Sequence, residues 1–215
     1  MQKPIAVLAG TPVDTQMGVE VLADAGLTGL AFPLANDPWE QTAFQISSPA
    51  EKWEKTLQVL RAAQAQGCEQ AFVYCNSLSG SVDFPALAAE TGMKIVTPLD
   101  VYRLLAVNYG RLGFIAANAQ GLAGIERTLL SANPNLELRS AGLLPVVLSI
   151  EAGVPPAQIV EQHGLEALAA WFAACGVEAL LLGCTHFPYF KKELARRTPL
   201  PLIDPAEEML RLLKN

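Results

Sequence analysis

The chain writes one pattern twice, and this limits its possible folds more than any other feature. GCEQAFVYCNSLSG (67–80) and GVEALLLGCTHFPY (176–189) share a frame. In each, a glycine ends a helical pattern and an apolar run follows. Eight residues after the glycine stands a cysteine with polar residues behind it, Cys75-Asn76-Ser77 and Cys184-Thr185-His186. Upstream, Gly18-Val19-Glu20 lies 57 residues before the first cysteine, and Gly124-Ile125-Glu126 lies 60 before the second. Agreement over that span predicts an internal duplication, two half-molecules of one design.

Each half reads as alternating strand and helix. IAVLAG (5–10) is a buried-type strand, and RLGFIAAN (111–118) repeats it. A loop PVDTQ then feeds a helix over 18–25, and LTGLAFPL is a second strand. ANDPWEQTAFQISSP (35–49) reads as an irregular polar and aromatic loop of the kind that borders sites. Ser48, Pro49 and Glu51 mark a helix start, and that helix runs to Gly67. VDFPALAAETG is a short helix with Pro85 in its first turn and Gly92 as its stop. KIVTPLD and PLPLID are matching strands that end at Asp100 and Asp204, both read as turn or cap residues. Residues 149–163 read as loop and helix.

Near-continuous apolar strands separated by helices mean parallel sheets covered by helices. The expected fold class is therefore α/β. Two parallel-sheet α/β domains related by a pseudo-twofold axis are expected, with the active site at their interface. The expected boundaries are 1–98 plus 200–215 for the first domain and 99–199 for the second. Ligands of such sheets bind beyond the carboxyl ends of the strands. Both cysteines stand at such ends, and the twofold would bring them face to face.

Composition narrows the function classes. Apolar residues make up 51% and charged residues 17% of the 215, so the chain has ample material for a core. The net charge of −6, with no basic stripe, argues against nucleic acid as a partner. No apolar run approaches the ~18–20 residues that span a bilayer, so no membrane association is expected. MQKPIAVLAGTPVD lacks the form of a secretory signal, and a cytoplasmic protein with free thiols is expected.

Two thiols on opposite faces of one carbon suit a stereoinversion. One thiolate removes a proton and the other thiol returns one from the far side, with no cofactor. A thiol beside a helix N-terminus is expected to ionise readily. Asn76, Ser77 and Thr185, with nearby backbone N–H groups, are suited to hold the substrate carboxylate. Cys68 and Cys175 fall near helix ends and read as structural. Neither cysteine is followed by the arginine a phosphatase loop needs, and no dinucleotide glycine pattern follows a strand. Without CxxC or a closed tetrahedral set, no metal is expected. His163 reads as a helix-end residue and Asn36 as a further binding candidate. Trp39, Trp53 and Trp171 read as core or inter-domain packing.

VYCNS and GCTHFP resemble the paired motifs of the aspartate/glutamate racemase superfamily, the cofactor-independent amino-acid racemases. The resemblance covers most of the chain, and IDPAEEM is similar to the region that closes the first domain there. It implies two α/β domains with the site between them, a small and acidic amino acid as substrate, and a homodimer. Cys75 and Cys184 would be the acid/base pair, with His186 assisting Cys184. Thr11, Asp14, Asn76, Ser77, Asn118 and Thr185 would contact substrate. GCTHFP resembles the glutamate racemase version, since the aspartate branch carries an acid where His186 stands. Where glutamate racemases carry Asp-Ser-Gly, however, this chain has Ala9-Gly10-Thr11, closer to the turn of aspartate racemase-like members. The second half has Ala116-Ala117-Asn118 where a threonine-containing turn is expected. A hydantoin racemase, a maleate isomerase-like enzyme and a non-catalytic ligand-binding relative are the alternatives on the same frame.

Overall fold

A computed structural model describes residues 3–214, and strand and helix alternate through it in two rounds. The first round is β1 (Ile5–Ala9), α1 (Pro12–Asp24), β2 (Gly29–Pro33), α2 (Pro38–Ile46), α3 (Pro49–Ala65), β3 (Gln70–Val73), α4 (Asn76–Ser81), α5 (Phe84–Thr91) and β4 (Lys94–Val96). Helix α6 (Pro98–Ala106) leads to the second: β5 (Arg111–Ala116), α7 (Ala119–Ala132), β6 (Glu137–Gly142), α8 (Leu144–Glu151), α9 (Pro156–Gln162), α10 (Leu165–Ala174), β7 (Ala179–Leu182), α11 (Pro188–Ala195) and β8 (Leu202–Ile203). Helix α12 (Pro205–Lys214) closes the chain. Two units result, Met1–Val101 with Ala206–Asn215, and Tyr102–Pro205. A return to the first unit was expected at 200. It comes at Ala206, because β8 pairs with β7 in the second unit's sheet.

Each unit holds one four-stranded parallel sheet, ordered β2-β1-β3-β4 in the first and β6-β5-β7-β8 in the second. The registers match as well. Ile5 pairs with Gln70 in β1–β3, and Leu112 pairs with Ala179 in β5–β7. Beyond the ladder, Tyr74 N–H donates to the Leu8 carbonyl at 2.7 Å, and Gly183 N–H donates to the Ile115 carbonyl at 2.8 Å. Tyr74 therefore corresponds to Gly183, and Cys75 to Cys184.

The glycines that open the repeated pattern stop the helices ahead of both strands. Gly67 (φ +86°) and Gly176 (φ +74°) are left-handed, a conformation that costs other residues about 1 kcal/mol or more. Each turns its chain so that the next N–H bonds back into the last helical turn, Cys68 to the Ala63 carbonyl and Val177 to the Phe172 carbonyl. The strands that follow are buried, and each unit has its own core. Leu8, Leu60, Val73 and Leu87 belong to the first core, and Ile115, Phe172, Leu182 and Phe190 to the second.

Several elements differ from the sequence reading. Helix α1 begins at Pro12 rather than near 18, because Thr11 and Asp14 cap it and Pro12 fits its first turn. The supposed loop 35–49 contains α2, capped by Asp37, whose carboxylate accepts from the N–H groups of Trp39 and Glu40. Asp100 does not end a strand: it lies in the first turn of α6 and accepts from the N–H and hydroxyl of Thr97. Trp39 is 84% exposed rather than packed. Trp171 is half exposed and edge-on to Phe172, while Trp53 does pack on the first core. Among the described residues, no helix is long and apolar enough to cross a membrane.

Candidate active site

In a sheet of order 2-1-3-4 the chain leaves β1 to one side and returns on the other. The crevice at the carboxyl ends of β1 and β3 is then the natural ligand position. In the first unit those ends carry Gly10-Thr11 and Cys75. In the second, the ends of β5 and β7 carry Ala117-Asn118 and Cys184.

Cys75 is buried and extended (φ −162°), standing just before α4. Its Sγ lies 3.4 Å from Ser77 Oγ. Behind Ser77 stands Gln45 of α2, whose Nε2 donates to Ser77 Oγ at 3.2 Å. Asp14 is also buried and folds back over the end of β1. Its Oδ1 accepts from Thr11 N–H (2.6 Å) and Thr11 Oγ1 (2.8 Å), and its Oδ2 accepts from Gly10 N–H (3.1 Å). Burial pushes the Cys75 thiol up to about 11, and the Asp14 charge adds to the rise. The Ser77 hydroxyl and the N–H groups of Leu78 and Ser77 oppose it. Easy ionisation was expected here, but desolvation outweighs the helix end.

In the second unit Cys184 is also buried, and its Sγ lies 3.7 Å from His186 Nδ1. The other ring nitrogen, Nε2, lies 3.3 Å from Glu151 Oε1 at the end of α8. That approach is at ion-pair range but is not aligned as a hydrogen bond. An imidazole between a carboxylate and a thiol can accept the thiol proton, or as imidazolium steady the thiolate. The residue two places after each cysteine thus touches its sulfur, Ser77 in one unit and His186 in the other.

The structure groups Thr11, Asp14, Asn76 and Ser77 with Cys75 in the first unit, and Thr185 and His186 with Cys184 in the second. Asn118 caps α7, its Oδ1 accepting from Gly121 N–H at 2.9 Å. Asn36 is turned into a local contact, with its N–H and Nδ2 both donating to Glu40. His163 ends α9 and bonds Ser149 Oγ at 2.9 Å. Two polar neighbours escaped the sequence reading, Gln45 and Glu151. The signal for Glu151 was its place as the single acid in the apolar stretch LLPVVLSIEAGV. Among the described residues, no three His, Cys, Asp or Glu side chains gather as a metal site would need.

Comparison with known proteins bears on this arrangement. Residues 15–213 match the family model described as Asp/Glu/Hydantoin racemase. The chain belongs to this family. Among its curated members, the glutamate racemase of Desulforudis audaxviator is 34% identical over 156 residues, 68% of this chain and 55% of that protein. The one from Limosilactobacillus reuteri is 34% identical over 114 residues, 50% of this chain and 41% of that protein. The matches thus cover about two fifths to just over half of those relatives' lengths. Two solved structures share the fold. Glutamate racemase from Francisella tularensis, in complex with D-glutamate, has a TM-score of 0.73 at 23% identity, covering 99% of this chain and 80% of that one. An aspartate racemase homologue from Pyrococcus horikoshii OT3 has a TM-score of 0.73 at 16% identity and covers all of both chains.

Proposed function

We propose that the protein is a cofactor-independent racemase of a small, acidic amino acid, working at Cα with Cys75 and Cys184 as its two bases. The observation that carries this reading is the equivalence of the two thiols. Each follows the third strand of its sheet at the same register, and each has a protic side chain at its sulfur. Family membership and the glutamate racemase relatives support the reaction class.

In one direction the Cys75 thiolate takes the Cα proton, and the Cys184 thiol donates its own to the opposite face. In the other direction the roles exchange. Each turnover leaves the first sulfur protonated and the second ionised, so protons balance once both return to their starting states. Asn76, Thr185 and neighbouring N–H groups hold the carboxylate on which the carbanion's charge accumulates, with Thr11, Ser77 and Asn118 as further contacts. Asp14 takes the place of the acid in the Asp-Ser-Gly turn, and His186 with Glu151 governs the proton on Cys184. A cytoplasmic homodimer is part of the same proposal.

The test is a panel of D- and L-amino acids in D₂O, read by mass spectrometry and chiral separation. Initial-rate product should carry one deuterium at Cα while unreacted substrate carries none. Deuterium entering recovered substrate as fast as product would mean a single base. Absence of exchange with every amino acid would favour the hydantoin, maleate or ligand-binding alternatives.

A further inference from the structure

Gln45 lies outside every motif of the repeat, yet it reaches the group that touches Cys75. It stands on the last full turn of α2, and it lines a small cleft with Gly10, Leu34, Gln41, Phe44 and Ser77. The contacts form a chain: Gln45 Nε2 to Ser77 Oγ at 3.2 Å, then Ser77 Oγ to Cys75 Sγ at 3.4 Å.

That chain has a polarity. An amide nitrogen only donates, so Ser77 Oγ accepts from Gln45. The hydroxyl then has its single proton free for Cys75, and a thiolate can only accept. We propose that Gln45 is a positioning residue for the first base: by donating to Ser77 Oγ it turns the hydroxyl proton onto Cys75 Sγ and favours the thiolate. The inference rests on Cys75 acting as a base, but its chemistry is readable at the thiol without turnover.

The surroundings leave this task to neutral groups. The charged group acting on Cys75 is Asp14, from α1, and its sign opposes ionisation. Helix α4 presents the neutral Ser77 and Leu78. On α2 the one acid, Glu40, is occupied by Asn36. Strands β1, β2 and β3 carry no charged residue. A donor chain from α2 is thus a means of offsetting burial that this unit possesses.

The test is peptide-resolved alkylation by iodoacetamide over a pH series, with Cys184 as the internal reference in the same protein. Gln45→Met keeps the volume and removes the donor. Gln45→Glu replaces the donor by an acceptor and so reverses the chain. At pH 8 the Cys75 alkylation rate should fall several-fold in Gln45→Met. In Gln45→Glu it should fall about tenfold or more, the size expected of one charge-assisted hydrogen bond. The whole Cys75 profile should move to higher pH while that of Cys184 stays in place. A Cys75 profile unmoved in either variant would overturn the proposal, as would an equal shift at both cysteines. If the wild-type protein racemises nothing in D₂O, the proposed function fails, and the alkylation profiles still decide the role of Gln45.

Discussion

The two units share strand order and register, but they place their bulk in opposite elements. By register, Gly18 of α1 corresponds to Ile125 of α7, and Tyr74 corresponds to Gly183. A Cβ added to Gly18 would stand 2.7 Å from Val7 Cγ1 and 2.9 Å from Tyr74 Cβ. One added to Gly183 would run into Ile125 Cδ1 and stand 2.8 Å from the Ile115 carbonyl oxygen. In the first unit the helix yields to the strand residue, and in the second the strand residue yields to the helix. Volume has been exchanged while the hydrogen bond that places each cysteine has been kept. The sulfurs' neighbours differ as well: a hydroxyl backed by an amide at Cys75, an imidazole backed by a carboxylate at Cys184. The two corresponding positions therefore hold their thiols in unequal proton environments.

The largest effect that would break the comparison is loss of either sulfur. Cys75→Ala and Cys184→Ala should each lower racemisation by about 10³-fold or more in both directions, with circular dichroism unchanged. Near-normal turnover in one variant would end the equivalence. His186→Gln should slow the direction in which Cys184 takes the proton by about 10²-fold, and the reverse direction much less. Equal slowing would detach His186 from that sulfur.

Smaller effects sharpen the packing and electrostatic halves of the contrast. Gly183→Ala should cost about 2 kcal/mol in urea unfolding, and Ile125→Val in the same chain should restore part of it. Strictly additive costs would mean that the two residues do not share the space. Cys75 brings an alkaline dependence. Its folded-state value is raised, so the folded protein keeps a proton that the unfolded chain has released. The contribution is complete below the ordinary thiol value of ~8.5 and is lost as pH climbs through about 11. Unfolding free energy should fall by on the order of 2 kcal/mol across that window, and less in Cys75→Ala. Equal decline in both proteins would contradict the assignment. Smallest, Glu151→Gln should slow the same direction as His186→Gln by about tenfold, and an effect confined to stability would make Glu151 structural.

Strands, helix stops and the corresponding cysteines were legible because apolar runs and glycines report local backbone needs. The opening turns of α1 and the whole of α2 hid because their signals are caps rather than periodicity. Thr11-Pro12-Val13-Asp14 opens α1, and Asp37-Pro38 opens α2 while Trp39 and Ile46 point outward. Matching Gly18 to Gly124 by letter was one residue out. The register pairs Gly18 with Ile125, and only packing shows that the missing volume reappears at Gly183. Gln45 and Glu151 escaped for a related reason: each meets its site through space, 32 and 35 residues away from Ser77 and His186 in sequence.

The most direct test treats the wild-type protein with 1,3-bis(bromomethyl)benzene, whose two benzylic carbons can join thiols held on either side of one small molecule. Peptide mapping should find Cys75 linked to Cys184, with the link suppressed by the amino acid that the D₂O panel identifies as substrate. Single adducts on both cysteines, with no linked peptide at any reagent level, would contradict a common carbon between the two sulfurs.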